Sequence, residues 1–478
     1  MKRVLKVILC TAVLFIALGA ITLRVLQPPA AMAIPDPNAV LRSVVLVVPG
    51  ESHSQPVDLT VENGYISDVR PAREAGINGY VLPGLVDAHV HGPMLPLPGQ
   101  SELFAFLYLY HGVTSARMAA GDAQMRDAIT GGEYVGPRIL SCGSFLDGEP
   151  PLWPSSLVVT DKASAEAAVE QVAAEGYDCI KVYNELTAGA SREIYEAAND
   201  RSLSVIGHVP WRQDFGAVYI DDIQHLVGWA PRSPDDGATG YIHRLLNLKN
   251  LDQQRVQALI EASITRGFAL TPTLVTLQRK FALKNSTDLQ QSDAAALLPS
   301  YYRNKLWHPQ HGLVSARLLS DAQHDQFRAL YPQAQGAVRA LYEAGVEFHS
   351  GTDSAAEFIV PGAGLLEELQ LLEQTGLSPE QVLEISSVDT ARYLHGPAYG
   401  RLSVGAPADF VVYAKDPTRD LGNLGTRTAV VQNGAYYDRD ALDAQMRRYK
   451  AWFNHPVYRL ITESLVGAGL FIVSVLSR

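Results

Sequence analysis

Six side chains in this sequence have the types and the placement to hold metal ions. His89-Val90-His91 ends an apolar stretch that begins at Leu85. In a strand, residues i and i+2 share a face, so both imidazoles point the same way, and Asp87 with them. Neutral imidazoles suit zinc, and a nearby carboxylate suits the support of a ligand by hydrogen bonding. His208 follows Val205-Ile206-Gly207, and His225 follows Asp222-Ile223-Gln224. Either histidine alone is commonly a core or capping residue, but two at the ends of successive strand-like runs point to ligation. Asp353, in Gly351-Thr352-Asp353-Ser354, lies just past another such run, where an N-cap or turn role is the plain alternative. Lys181 lies inside Cys179-Ile180-Lys181-Val182-Tyr183. A buried free ammonium is costly. This lysine therefore snorkels to the strand end, pairs with a carboxylate, or is converted by CO2 to a carbamate that bridges metals as an anion. Spacing does not choose among these.

The elements that must position these residues read as an alternation of short strands and helices. The strand candidates are 85–91, 112–117, 138–142, 179–183, 203–208, 223–226, 268–274 and 346–350. Between them, Ser164 to Gly176 and Gln335 to Ala344 are rich in helix formers, and each runs into a glycine. Eight such strands predict a (β/α)8 barrel over 84–397, with an open doubly wound sheet as the rival. No GxGxxG follows an early strand, which weakens the rival. On a barrel, His89, His91, Lys181, His208, His225 and Asp353 all fall at strand ends on one rim. Packing does not explain six polar residues on one rim. A two-metal hydrolytic site does, with ions about 3.5–4 Å apart. Zinc is preferred to magnesium because four of the ligands are histidines. The long stretch from Lys280 to Ala334, with Tyr301, Tyr302, Trp307 and His308, is expected to contact substrate.

Short strands also flank the barrel. Val44 to Val48 is a β-branched run ended by Pro49-Gly50, and residues 59–69 read as strand, Asn63-Gly64 turn, strand. A matching piece lies at 408–437 with its own Asn433-Gly434 turn. Lone hairpins are marginal, so 35–83 and 398–440 are expected to combine into one small β unit.

Composition bounds the function class. The chain has 478 residues, 47% hydrophobic and 19% charged, enough to bury a large core. Its 39 Lys and Arg against 50 Asp and Glu give a net charge of −11, which argues against nucleic acid or anionic lipid headgroups as the main partner. Three cysteines, Cys10, Cys142 and Cys179, exclude a disulfide-stapled scaffold and a Cys-rich metal site without fixing the redox compartment.

Both ends are apolar. Lys2, Arg3 and Lys6 precede an uncharged run of 17 residues, Val7 to Leu23, and Ala31-Met32-Ala33 offers a small-x-small cleavage pattern. Residues 1–34 are thus expected to form an apolar helix, either an uncleaved membrane anchor or a signal peptide cleaved near Ala33. Both place the rest of the chain in the periplasm or another extracytoplasmic space. The tail, 441–478, reads as helical and partly apolar, with Arg447, Arg448, Tyr449, Lys450, Trp452 and Phe453 ahead of an uncharged stretch from Leu465 to Leu476. That fits an interfacial helix, or a helix docked on the protein or on a second subunit of a homo-oligomer.

Leu82-Pro83-Gly84-Leu85-Val86-Asp87-Ala88-His89-Val90-His91-Gly92 resembles the opening signature of the amidohydrolase superfamily. Gly112 to Arg117, Ile180 to Tyr183, Gly351 to Ser354 and Gly405 to Val412 resemble its imidazolonepropionase-like and prolidase-like (Xaa-Pro dipeptidase) branch, in the same order over about 58–434. The resemblance implies a small β-sandwich beside the barrel. It implies that His89 and His91, with Asp353, hold the more buried ion, that carboxylated Lys181 bridges both, and that His208 and His225 hold the second. It implies hydrolysis of a non-aromatic C–N bond (amide, lactam or dipeptide) by a metal-bridging hydroxide whose proton passes through Asp353. Tyr183 would hold the oxyanion or a substrate carboxylate, and Arg117 the latter. Asp87 and His349 would support the ligands. Relatives often carry an acidic residue after the arginine of the second strand, where Met118 stands here. Two rival functions remain: a lactone, ester or organophosphate hydrolase on the same centre, and a non-catalytic, membrane-anchored binding protein.

Overall fold

A computed structural model describes residues 19, 22, 24–95, 97–121, 123–231, 242–313 and 319–476. The apolar run expected to form the N-terminal helix lies largely outside them, as does Cys10.

The β-branched runs pair as alternation dictates. Val44, Leu46 and Val48 face one cluster with Val61, Val81, Phe410 and Val431, while Val45 and Val47 face the main core with Leu82, Val411 and Val430. Successive side chains on a strand point to opposite faces, so one run supplies two packed layers. The outcome is a seven-stranded mixed sheet in the order Ala435–Asp438, Arg427–Gln432, Phe410–Tyr413, Gly79–Pro83, Ala39–Leu46, Val57–Glu62, Tyr65–Pro71. The two flanks meet where Gly79–Pro83 runs antiparallel to Phe410–Tyr413. This is the small β unit expected from the sequence.

The second sheet is parallel. Leu85–Val90, Val113–Met118, Arg138–Asp147, Cys179–Val182, Ser204–Gly207, Asp222–Gln224 and Ala269–Thr271 follow one another in chain order, and Leu157–Val158 pairs with the third. The expected eighth strand is an extended segment rather than a regular strand. Its first part bonds to the seventh strand (Leu270 N–H to Glu347 O, 2.9 Å; His349 N–H to Leu270 O, 2.9 Å), and its second part to the first strand (Ala88 N–H to Ser350 O, 2.8 Å; Asp353 N–H to His89 O, 2.7 Å). Each neighbour is held over only two or three residues, too few for a ladder on either side. The nearly closed ring is consistent with a (β/α)8 barrel.

Helices cover the ring. Lys162–Ala174 starts at a capping box of Asp161 and Ser164, and Asp321–Glu343 at one of Ser320 and Gln323. A disulfide joins Cys142 and Cys179, which stand opposite each other on the third and fourth barrel strands. The fold is core-built, as the cysteine count implies, and this bridge spans 37 residues of sequence that only the strand register brings together. Arg439–Phe453 and Pro456–Leu476 are helices. No helix among the described residues is long and apolar enough to cross a membrane.

Candidate metal centre

The carboxyl ends of the barrel strands gather the expected ligands. His89 lies at the end of the first strand and Lys181 within the fourth; His208 directly follows the fifth and His225 the sixth. Asp353 lies in the closing segment. One ligand atom from each of His89, His225 and Asp353 lies within 4.8 Å of the others. Asp353 Oδ1 is 3.3 Å from His89 Nε2 and 2.9 Å from His91 Nε2. The His225 ring centroid is 4.6 Å from that of His89 and 4.9 Å from that of His208. Four histidines and one carboxylate therefore form a continuous cluster. The Lys181 ammonium donates to the side-chain oxygen of Gln224, and its charge acts on His89, His208 and His225.

Local backbone makes this approach possible. A Cβ on Gly351 would stand 2.4 Å from Thr271 Cγ2 and 3.0 Å from His89 Cβ, so only glycine lets the closing segment lie against the first strand. His225 and Asp353 have φ of 62° and 63°, a left-handed conformation that is uncommon outside glycine and concentrates at functional sites. Asn184 Oδ1 lies 3.0 Å from His208 Nδ1, which places the proton on Nδ1 and leaves the Nε2 lone pair for a ligand. Thr273 Oγ1 lies 2.6 Å from His225 Nδ1.

Electrostatics favours cation binding. Burial, followed by the Lys181 charge, holds His89 and His208 well below the usual imidazole range. His225 is pushed down to about 3, chiefly by burial. His89, His208 and His225 are therefore neutral donors. Burial pushes Asp353 up, but hydrogen bonds from His89 and His91 prevail and hold it well below the usual carboxylate range. Burial lowers Lys181 to about 7, against the pull of Asp353, so the free amine is present near neutral pH. His89 Nδ1 is buried and has no hydrogen-bond partner. Uncharged imidazoles packed ring to ring beside an ionised carboxylate form a donor set that fits soft divalent cations.

Asp87 is buried and accepts from Thr352 N (3.1 Å), Thr352 Oγ1 (2.7 Å) and His89 N (3.3 Å). It braces the backbone that carries Asp353 instead of a ligand imidazole. Burial raises its carboxyl to about 7. The Tyr183 ring is 4.4 Å from that of His208 and 4.8 Å from that of Phe145. Burial raises the phenol, which stays protonated and able to donate.

Arg117 and His349 depart from expectation. Both belong to a second layer deeper in the barrel, where each meets Asp222. Arg117 Nε donates to Ala88 O (2.9 Å) and its guanidinium pairs with Asp222. Asp222 also accepts from Thr271 Oγ1 (2.8 Å) and lies 3.3 Å from His349 Nδ1, whose Nε2 is 3.2 Å from Glu347. Burial pushes Asp222 up, yet the Arg117 charge wins and holds it far below the carboxylate range. These contacts hold Arg117 against Asp222 and the backbone of the first strand. Inward residues of a barrel stack in layers, and the one-dimensional pattern does not say which layer a residue joins. The aromatic residues expected to line the substrate site are buried instead. The Tyr302 ring stacks on Tyr301 (4.8 Å) and lies tilted against Trp307 (5.0 Å), as Trp307 does against Phe358 (5.2 Å).

Sequence reasoning missed Gln224, Asn184, Thr273 and Asp222. Gln224 and Asn184 sit beside residues that were singled out, in His225 and Tyr183, which is the one signal they gave.

Residues 80–436 match the model of the amidohydrolase family. Uncharacterised proteins of Mycobacterium tuberculosis and Mycobacterium bovis are 25% identical over 392 residues, spanning 79% of this chain and 91% of theirs. Among solved structures, bottromycin amidohydrolase superposes with a TM-score of 0.70 at 24% identity, over 90% of this chain and 92% of that one. A Xaa-Pro dipeptidase with bound methionine gives 0.61 at 18%, over 84% and 100%. A prolidase from Bifidobacterium longum gives 0.60 at 23%, over 87% and 100%. These likenesses share the fold. The family match covers most of the chain, and the protein belongs to the amidohydrolase family, hydrolases of carbon–nitrogen bonds.

Proposed function

We propose that this protein is a metal-dependent hydrolase of a non-aromatic C–N bond in a small acyl amide or dipeptide, using two divalent ions, most suitably zinc. The observation that carries the reading is the meeting of His89, His225 and Asp353 within 4.8 Å, with His91 and His208 in ring or hydrogen-bond contact. His89, His91 and Asp353 would hold one ion and His208 and His225 the other. Lys181 would bridge them after its neutral amine adds to the carbon of CO2 and releases a proton. When bound, such ions lower the pKa of water toward neutrality and polarise a carbonyl.

The chain's own groups supply the rest. Asp353, held ionised, takes a proton from the attacking water and returns it to the leaving nitrogen. Tyr183, kept protonated by burial beside His208, donates a hydrogen bond to the developing oxyanion. Gln224 fixes the Lys181 side chain. That bottromycin amidohydrolase and a Xaa-Pro dipeptidase share the fold supports an amide or peptide substrate. The leading uncharged run and the Cys142–Cys179 disulfide support a location in an oxidising, extracytoplasmic space.

Metal analysis with a screen of Xaa-Pro dipeptides and N-acyl amino acids tests the reading. Near two zinc per chain with amide turnover is expected, and metal-stripped protein should regain more activity with bicarbonate than without. Protein that binds no divalent metal and hydrolyses none of these compounds would overturn it. Turnover confined to esters or lactones would move the reading to those substrates.

A further inference from the structure

Over its described side chains, up to Ile472, the helix Pro456–Leu476 packs along one stripe and exposes apolar residues elsewhere. Tyr458, Thr462 and Val466 are buried at intervals of four, the spacing of one helical face. Opposite this stripe Leu460 is 70% exposed, and on its flank Leu465 is 53% and Ile472 57% exposed, with Ser464 and Ala468 exposed between. Glu463 is the one charge from Leu460 to Ile472, and it is turned inward to accept from Ser300 Oγ (2.6 Å) and Asn304 Nδ2 (3.0 Å). An exposed face this apolar and free of charge calls for a covering.

Two further observations select the covering. The first is charge. Residues 439–459 hold five basic side chains (Arg439, Arg447, Arg448, Lys450, Arg459) against two acidic ones (Asp440, Asp443), 5 − 2 = +3, in a chain whose net charge is −11. Arg447, Arg448 and Arg459 are exposed. The second is continuity. The uncharged run Val7 to Leu23 leads into a segment seated on the preceding helix, where Trp452 Nε1 donates to Val25 O (3.1 Å) and Gln445 Nε2 to Ala30 O (3.1 Å). The segment from Val25 to Ala30 thus reaches the same corner of the molecule as Pro456–Leu476.

We infer that the exposed face of Pro456–Leu476 docks in the headgroup–acyl boundary of an anionic bilayer. An amphipathic helix that is too polar on one side to span, flanked by basic residues, binds in this way. The helix packs on loops at the carboxyl ends of the barrel strands. Gln100, just past the loop that follows His91, donates to Tyr458 (3.3 Å), and Ser300 and Asn304 belong to the excursion after the seventh strand. Met94, in the loop after His91, is 47% exposed. Docking therefore turns the metal-site rim toward the lipid surface. Resting on the amidohydrolase reading of that rim, this orientation favours an amide substrate with an apolar acyl group, drawn from the interface.

The test places an environment-sensitive fluorophore on the full chain as Leu460→Cys, in a Cys10→Ser background, with Leu465→Cys as a second site. Vesicles of phosphatidylcholine and phosphatidylglycerol are the probe. The inference expects a blue shift on vesicle addition at both sites, quenching by lipid-borne nitroxides and protection from aqueous iodide. A probe that stays water-exposed with vesicles present would overturn it. So would a probe already blue-shifted in their absence and indifferent to them, because the face would then be covered by residues 7–23 or by a second copy. The readout needs no turnover, so it stands or falls apart from the catalytic assignment.

Discussion

Two polar layers fill the barrel, and they are balanced in opposite ways. In the deeper one, the Arg117 guanidinium meets Asp222, Asp222 meets Thr271 and His349, and His349 meets Glu347. Charge is matched by charge, although Arg117 Nη1 is left without a hydrogen-bond partner. At the rim, four histidines and a lysine gather around one carboxylate, Asp353, and His89 Nδ1 has no hydrogen-bond partner. A buried polar cluster with donor atoms to spare is costly as a structural feature and useful as a ligand site. On the proposed function, the contrast separates residues that hold the barrel from residues that act in it, although both sets lie on the same strands.

The comparison breaks first at Asp353. Asp353→Asn keeps the shape and removes the proton acceptor, so kcat should fall roughly thousandfold while the circular dichroism is kept. Turnover within a few-fold of wild type would remove the rim's proton carrier from the scheme. The deeper layer should answer differently. Arg117→Met leaves Asp222 buried without its countercharge, and denaturant unfolding should show a loss of about 3–5 kcal/mol. A variant of unchanged stability but lost substrate affinity would return Arg117 to the substrate site. His208→Ala should cost about a hundredfold in rate and leave a folded barrel, since it strips a ligand and spares the deeper ion network. Loss of the native fold instead would make His208 structural.

The smallest effect sharpens the contrast through pH. Burial lowers Lys181 from 10.5 to about 7, so above pH 7 the folded chain holds fewer protons at this site than the unfolded one. Stability then rises with pH between about 7 and about 10.5, where the unfolded state binds the extra proton. Raised carboxyls act in the opposite sense: Asp87 at about 7 and Glu368 at about 8 stay protonated in the fold and lose that advantage as pH rises through those values. Comparison of metal-free wild type with Lys181→Met isolates the lysine. The difference in Tm between the two should change steadily over that window, in favour of wild type as pH rises. A constant difference would mean that Lys181 titrates normally and is not poised for carbamate formation.

Much of the rim was legible because strand ends leave marks. His89 and His91 at i and i+2, and single histidines after Val205-Ile206-Gly207 and Asp222-Ile223-Gln224, can be placed without coordinates once the strands are counted. The deeper layer left no such mark. Arg117 and His349 are polar residues at inward positions just as His89 is, and depth along the barrel axis is not written in alternation. The Cys142–Cys179 bridge and the partners Asn184, Thr273 and Gln224 depend on strand register, which hydrophobic pattern fixes only in parity. The eighth strand was found in place but not in form, because its two short pairings belong to different neighbours.

By itself the sequence determined the alternation of strands and helices, the joining of the two flanks into one sheet, and the residue types fit to bind cations. These follow from local periodicity and side-chain chemistry, which act over a few residues. The tertiary structure alone decided which polar groups are compensated and which are left with free donors. That depends on distances between strands remote in the chain, and a buried charge is stabilised or exposed as a cost only by the groups that folding brings within hydrogen-bond reach.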